Sequence, residues 1–246
     1  KGGGSAEVAL SPRGTLAYLS SSALSRLVYV DRRGAAISVR DELRDYASPR
    51  FSPDGQSLAV EIGGPTGIDI WVWRNGTATL SRLTFADDNI RPVWSPDGRR
   101  IAFSSTRHAR RALYAIAADG SSDPELLVST EFEIWEVVWR PDGRGIVFRQ
   151  NHPTTGRDLW AVSLDSARQP RPLVASQFIE DSPALSPDGR WLAYVPDESG
   201  RREVYVRPMD GGGRWQVSAE SGTEPDWGPS GRELFYRSGE SLVAAR

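Results

Sequence analysis

Apolar and polar residues of this chain alternate in short blocks, and the arrangement of the blocks repeats along the sequence. In the third repeat, Trp94 precedes a turn-forming tetrapeptide, an apolar run at 101–103 follows the turn, and a second run at 113–115 comes after a polar loop. Short runs rich in β-branched and aromatic side chains, separated by turn residues, are typical of β-strands. The pattern therefore predicts an all-β protein built from one repeated unit of several strands.

Each repeat is centred on one turn sequence, whose fullest form is Ser-Pro-Asp-Gly. Proline presets φ at the second turn position, aspartate suits the third, and glycine tolerates the positive φ that often follows. The prolines of successive turns are 41, 43, 45, 46 and 42 residues apart, a period that fits one four-stranded propeller blade. The six copies lie at 11–14, 52–55, 95–98, 140–143, 186–189 and 228–231.

Six such turns predict a six-bladed β-propeller of four-stranded antiparallel blades, with residues 1–246 as a single domain. The sixth repeat reaches Arg246 after its third strand, so we expect an incomplete last blade or a fourth strand from the N-terminal segment. Residues 1–5 are a poor strand because glycine weakens strands. We therefore expect the chain to be a fragment of a longer protein.

Composition excludes several classes of function. Lys1 is the only lysine and there is no cysteine, which excludes lysine-dependent catalysis, disulfides and thiolate chemistry. The 30 basic residues are spread along the chain and offset by 32 acidic ones, so no basic stripe predicts a nucleic-acid partner. The apolar runs fall far short of the roughly 18 to 20 residues of a membrane span. The N-terminal residues lack the apolar core of a signal peptide, and we expect no direct membrane insertion by this chain.

Catalytic signatures are weak. His108 and His152, the only histidines, fall in equivalent loops of the third and fourth repeats, where a metal site or a proton relay between them stays open. No Gly-x-Ser-x-Gly elbow of a hydrolase is present. We interpret the acidic pairs at 87–88, 180–181 and 197–198 as solvated, because adjacent side chains of a strand point to opposite faces. The sequence therefore predicts a non-catalytic protein without a cofactor or a metal.

The repeat resembles a known family. The run from an aromatic or apolar residue through Ser-Pro-Asp-Gly to Ile/Leu-Ala-Phe/Tyr, at 94–103 and 185–194, is similar to the WD40-like PD40 repeat of TolB-type propellers. The segments 69–73, 80–85, 91–105, 203–208 and 231–238 also resemble the C-terminal propeller of bacterial transmembrane serine/threonine protein kinases. The second resemblance implies an extracytoplasmic, periplasmic sensor module. The alternatives are a free TolB-like periplasmic scaffold and the gating propeller of a prolyl-oligopeptidase-type hydrolase.

Binding is expected on the propeller face opposite the turns. In a propeller, the strand leading into each turn lines the central channel, and the opposite face carries the loops between the second and third strands. Four residues before each turn stands a polar residue, and the loops mix both signs of charge. We expect a monomer that binds a protein or peptide, or alternatively a small ligand, on this face. The candidate contact residues are Glu7, Arg91, Glu136, Glu224, Arg107, His108, Arg111, Asn151, His152, Asp197 and Glu198.

Overall fold

The computed structural model describes residues 8–11, 16–18, 24–30, 35–75, 77, 79–108, 110–165 and 168–246. The elements within these ranges are β-strands, which confirms the all-β prediction. None of the described residues lies in a helix that is long and apolar enough to cross a bilayer. The chain forms two compact units, Lys1–Leu127 and Val128–Arg246. The single domain expected from the sequence stays a prediction.

The first unit contains three antiparallel four-stranded sheets, and in each one the strands pair in chain order. Its strands are β1 (Val8–Leu10), β2 (Leu16–Tyr18), β3 (Val28–Val30), β4 (Ala36–Ser38), β5 (Tyr46–Phe51), β6 (Ser57–Gly64), β7 (Gly67–Arg74), β8 (Leu80–Arg82), β9 (Asn89–Trp94), β10 (Arg100–Ser105), β11 (Ala112–Ala117) and β12 (Glu125–Val128), whose last residue opens the second unit.

The second unit contains two four-stranded sheets and one three-stranded sheet, paired in the same order. Its strands are β13 (Ile134–Trp139), β14 (Gly145–His152), β15 (Gly156–Ser163), β16 (Arg171–Val174), β17 (Glu180–Leu185), β18 (Trp191–Pro196), β19 (Tyr205–Pro208), β20 (Trp215–Gln216), β21 (Thr223–Trp227), β22 (Leu234–Ser238) and β23 (Ser241–Ala245).

The prediction of six four-stranded blades is wrong. The described residues form five four-stranded blades, and the sixth repeat forms only the three-stranded sheet β21-β22-β23. The turn motif fixes the hairpin between the first two strands of a repeat and carries no information about the outermost strand, so six turns overcount the complete blades. Residues 1–5, considered above for the missing strand, lie outside the described residues.

The Ser-Pro-Asp-Gly turns close these hairpins through side-chain hydrogen bonds. In the third repeat the Ser95 hydroxyl donates to Asp97 Oδ1 at 2.6 Å and accepts the Arg100 backbone N–H at 2.9 Å. The Ser95 hydroxyl, followed by the Arg99 N–H, holds the pKa of Asp97 below its ordinary value. Gly98 has a φ of 68°, which suits glycine. The same serine–aspartate bond forms at residues 52–54 and 186–188.

Apolar side chains on both faces of the strands pack one sheet against the next. In the first unit, Phe103 and Tyr114 of the third sheet share a buried cluster with Ile70 and Val72 of the second. The Trp94 indole N–H adds a hydrogen bond of 3.0 Å to the Arg50 carbonyl of the preceding sheet. Equivalent clusters join neighbouring sheets in the second unit. Packing on both faces explains why these strands read as almost continuous apolar runs.

Ser95→Ala is expected to lower the free energy of unfolding by about 1 to 2 kcal/mol, because it leaves the Arg100 N–H without its acceptor and removes the donor to Asp97. Chemical denaturation followed by tryptophan fluorescence measures the change. The control is Ser129→Ala at an exposed position outside the strands, where we expect no more than about 0.5 kcal/mol. Equal losses in the two variants would show that the turn hydrogen bonds contribute nothing particular.

Candidate functional site

Five of the polar residues selected four positions before the turns are described by the structure, and each lies in the first strand of its sheet, at the end away from the turn. We call this first strand the innermost strand of the blade. In the second unit, Glu136 pairs with Arg149 at one end of the β13-β14 ladder, whereas Trp139 pairs with Ile146 beside the turn. We call the ends of the sheets opposite the turns the distal ends. The loops that join the second strand of a sheet to the third are also at the distal ends, as the sequence predicted.

The pairing register of the innermost strand shifts at this position in five of the described sheets, and in four of them the shift is a β-bulge of the same kind. The bulged residue has a positive φ and stands directly before a proline, and the pairing register shifts beside it. Proline is tolerated because each of these strands is the edge strand of its sheet. Positive φ is strained for residues other than glycine, so the surrounding contacts must hold it. The four residues are Ser48 (φ 47°), Arg91 (φ 59°), Ser182 (φ 52°) and Glu224 (φ 54°).

Carboxylates of the preceding sheet hold two of these bulges. The Arg91 backbone N–H donates to Oε1 of the buried Glu61 at 2.6 Å, within the first unit. In the second unit the Ser182 N–H donates to Glu136 Oε2 at 2.9 Å. Each contact satisfies an N–H that the bulge removes from its own ladder, and ties the distal end of one sheet to the next. Glu136 therefore positions the backbone as well as lining this surface.

An ion-pair network surrounds Glu136 in the second unit. Arg149 Nε lies 3.3 Å from Glu136 Oε2 and 3.2 Å from Asp181 Oδ1, as charge contacts rather than aligned hydrogen bonds. Arg149 Nη1 donates to Asn151 Oδ1 at 2.9 Å. The Arg149 and Asp181 side chains are only 7% and 3% exposed. Buried charges of this kind are stable only when paired, so the network fixes the geometry of the distal end.

The other candidates of the second unit hold the loops in place. His152 Nδ1 accepts the N–H groups of Thr154 and Thr155 at 3.3 and 3.4 Å, and its ring packs edge-on against Phe132. Asp197 Oδ1 accepts the Ile179 N–H at 2.9 Å, which ties two distal loops together. Two ion pairs complete the set: Glu198 with Arg214 at 2.6 Å, and Glu224 with Arg237 at 4.0 Å.

Two candidates of the first unit, Arg107 and His108, lie against Tyr114. The His108 ring stacks on Tyr114 and its Nδ1 contacts the tyrosine hydroxyl, while the Arg107 guanidinium lies 5.9 Å from the Tyr114 ring centroid. Arg111 is buried. Glu7 lies outside the described residues. In the part of the chain that the structure describes, no group of three or more His, Asp or Glu side chains is arranged to hold a metal.

The first unit also carries a recess at its distal end, with a volume of about 450 Å³. The exposed Leu24 and Leu43 lie on its rim, and the Arg44 guanidinium stacks over Trp71 at 5.6 Å. Arg82 is paired with the buried Asp69 in the wall of the recess. The recess thus combines apolar surface with fixed charges.

Sequence reasoning missed a set of buried carboxylates that lie in, or just before, the third strands of their sheets. Thr84 donates to Asp69 Oδ1 at 2.9 Å, Thr155 donates to Asp158 Oδ2 at 2.6 Å, and Ser218 donates to Glu203. Each carboxylate directly precedes the apolar-aromatic pair of its strand, as in Asp-Ile-Trp, Asp-Leu-Trp and Glu-Val-Tyr. That repeated position was a visible signal. The interpretation of the acidic pair at 180–181 as solvated was also wrong, because both side chains are buried.

Glu180 is a carboxylate whose environment opposes ionisation. Its side chain is buried, and Ser176 donates to Oε1 at 2.5 Å. Burial raises the pKa of Glu180 to about 7, opposed by the Ser176 hydrogen bond and reinforced by the negative charges of Asp158 and Asp197. In the first unit, the amide of Asn89 stands at the equivalent place and approaches Asp69 without any charge. The second unit thus has a titratable carboxyl group, that of Glu180, at the position where the first unit has the neutral amide of Asn89.

Arg149→Met is expected to lower the free energy of unfolding by about 3 kcal/mol or more, because it removes the buried cation that faces both the buried Asp181 and the partly buried Glu136. The control is Arg144→Met, which removes the same charge at an exposed position and should cost less than about 1 kcal/mol. Urea denaturation of both variants decides the point. Comparable losses would contradict the structural role of the network.

Glu180→Gln is expected to stabilise the protein at pH 8 and to change little at pH 5. Because the folded-state pKa of about 7 lies above the ordinary value of 4.5, the folded protein holds the proton more tightly than the unfolded chain. Stability is then lost as pH rises from about 4.5 through 7, by up to ~3 kcal/mol. Urea denaturation at both pH values, with the exposed Glu220→Gln as control, measures it. A Glu180→Gln variant no more stable than wild type at pH 8 would refute the assignment.

Comparisons with known proteins agree with the β-propeller fold. The family model of the PD40 TolB beta propeller domain matches residues 7–229. The Tol-Pal system protein TolB of Francisella tularensis subsp. mediasiatica is 28% identical over 114 residues, which are 45% of this chain and 26% of that protein. The aligned part of the chain therefore spans about a quarter of the relative's length.

Solved structures show the same fold. TolB from Acinetobacter baumannii has a TM-score of 0.79 at 21% identity, over 90% of this chain and 56% of that one. A structure assigned to TolB from Agrobacterium tumefaciens has a TM-score of 0.80 at 21% identity, over 98% of this chain and 90% of that one. An oligogalacturonate lyase in complex with manganese reaches 0.65 at 15% identity, over 96% and 74%. Identities this low establish the β-propeller fold and leave activity open.

The family match extends over most of the sequence, from the innermost strand of the first repeat to the turn of the sixth. The chain belongs to the PD40 family of TolB beta propeller domains.

Proposed function

We propose that this chain is a non-catalytic, TolB-type propeller scaffold that binds a protein or peptide partner at the distal ends of its sheets. The observation that carries the proposal is the distal end of the second unit, where charged side chains of two neighbouring sheets are held around the buried Asp181. Loops fixed on a rigid scaffold are frequent binding sites, and arginine is enriched in interfaces.

The chemistry of these side chains favours recognition over catalysis. His152 uses Nδ1 to accept two backbone N–H groups of its own turn, and Asp197 and Glu198 are engaged in loop contacts. Groups committed in this way give a surface of fixed shape and charge. The name of the Francisella relative, a Tol-Pal system protein, supports a role within a protein assembly and a periplasmic location, which we adopt as part of the proposal.

A more specific form of the proposal makes the propeller the extracytoplasmic domain of a transmembrane serine/threonine kinase, as the second sequence resemblance implies. The complete reading frame around Lys1 and Arg246 separates this form from a free scaffold. A kinase domain and a membrane span upstream would support the kinase, whereas a signal peptide directly upstream and no kinase would support the scaffold.

Photo-crosslinking in the native host tests the proposed face. A photoreactive residue at the exposed distal positions Thr154 or Ser199 is expected to capture the same protein, identified by mass spectrometry. The matched positions are Arg190 and Arg232, which are exposed beside the turns at the other end of their sheets, and from which we expect no such adduct. Failure to capture a protein at the distal positions, or equal capture from both ends, would refute the proposal. Immunoblots verify that all four variants reach equal levels.

A further inference from the structure

Three arginines converge on Asp181 at the distal end of the second unit. Asp181 Oδ2 accepts from Arg157 Nη1 at 2.7 Å and also from Arg202 Nη2, while Oδ1 faces Arg149 Nε at 3.2 Å. Arg157 comes from the β14-β15 hairpin and Arg202 from the loop between β18 and β19 of the next sheet. One buried carboxylate therefore gathers guanidinium groups from two sheets.

The charges of this cluster do not balance. Arg149, Arg157 and Arg202 contribute three positive charges, against the two negative charges of Asp181 and Glu136. The nearby acids have other partners: Glu203 faces Ser218 and Arg201, Glu198 pairs with Arg214, and Asp158 accepts from Thr155. The cluster thus retains an excess of positive charge.

The excess charge faces solvent. The side chains of Arg157 and Arg202 are 44% and 50% exposed, whereas Asp181 beneath them is 3% exposed. A guanidinium presents several N–H donors in a planar fork, and each of these two arginines donates to Asp181 from one nitrogen. Two like charges held against the same oxygen repel each other, so a second anion on their outer side is favoured. Fork-shaped donors match the two oxygens of a carboxylate.

An aromatic pair lies at the same end of the β14-β15 hairpin. Arg157 pairs with Asn151 in the ladder, and the His152 and Gly156 pair follows at the tip. The half-buried Phe132 packs against the His152 ring at a centroid distance of 4.8 Å. The two guanidinium forks are already held by a protein carboxylate, and a carboxylate side chain of a peptide matches their outer donors in the same way.

We propose that Arg157 and Arg202 form a recognition site for a carboxylate side chain of an acidic peptide segment in the protein partner, with Asp181 as the buried group that positions both guanidiniums. The inference rests on the proposed function and names the chemistry of its partner. Asp181 and Arg149 are positioning residues, and Arg157 and Arg202 make the contact.

Fluorescence anisotropy with a short labelled peptide of alternating Glu, Phe and Gly residues tests the site. We expect the Glu peptide to bind at least about tenfold more tightly than the same peptide with Gln. The double variant Arg157→Gln/Arg202→Gln should lose that preference, whereas Arg190→Gln/Arg232→Gln, with the same change of charge beside the turns, should keep it. Arg202→Lys, which keeps the charge without the fork, should lie between wild type and the double variant. Both arginines are half-exposed, so these variants are expected to fold, and circular dichroism verifies it.

Several outcomes would overturn the inference: equal affinity for the two peptides, unchanged binding by the Arg157→Gln/Arg202→Gln variant, or an equal loss in the control pair, which would indicate nonspecific charge attraction. Displacement of the peptide by inorganic phosphate at equal concentration would assign the site to a free anion instead.

Repeating the photo-crosslinking in the double variant separates the two proposals. If the adducts at the distal positions persist unchanged in the double variant, the proposed function stands and the recognition of an acidic segment by Arg157 and Arg202 is refuted.

Discussion

One kind of hydrogen bond, from a bulged backbone N–H to a carboxylate of the preceding sheet, holds the distal ends of neighbouring sheets together, and it occurs once in each unit. In four repeats the unpaired residue of the bulge has a positive φ and precedes a proline in the edge strand, so its N–H has no partner in its own ladder. Glu61 and Glu136 supply the acceptors for Arg91 and Ser182. A buried N–H without an acceptor is costly, so the neighbouring carboxylate holds both the strained backbone and the spacing of the two sheets.

The two ends of each sheet have different roles. Beside the turns, the same serine–aspartate hydrogen bond forms in the second, third and fifth repeats, and in the fourth repeat Arg140 contacts Asp142 through its guanidinium. At the distal ends, the repeats diverge: Val137 replaces the proline of the bulge, and Glu180 stands where the first unit has Asn89. Uniform turns hold the strands, and the varied distal residues are free to define a binding surface. The proposed acidic-peptide site at Arg157 and Arg202 lies in the divergent part.

The sequence predicted what depends on local chemistry. The turns, the first three strands of the repeats and the placement of Arg91 and Glu136 at the distal ends follow from short motifs and their period. The number of complete blades was wrong, because the outermost strand has no turn signature of its own. Asp181 and Arg149 were missed as partners, since they meet only when strands about thirty residues apart are brought together by sheet packing. The local sequence around an acidic residue does not show whether its side chain is buried or solvated, because burial depends on the side chains that pack against it.

Amide hydrogen exchange at Ser182 tests most directly whether carboxylates of the neighbouring sheet hold the bulges. In Glu136→Ala the Ser182 amide should exchange roughly ten- to a hundredfold faster, as the loss of one buried hydrogen bond implies, while the Arg91 amide keeps its rate. Glu61→Ala should have the reverse effect. Unchanged exchange at Ser182, or equal acceleration of both amides in either variant, would contradict the account.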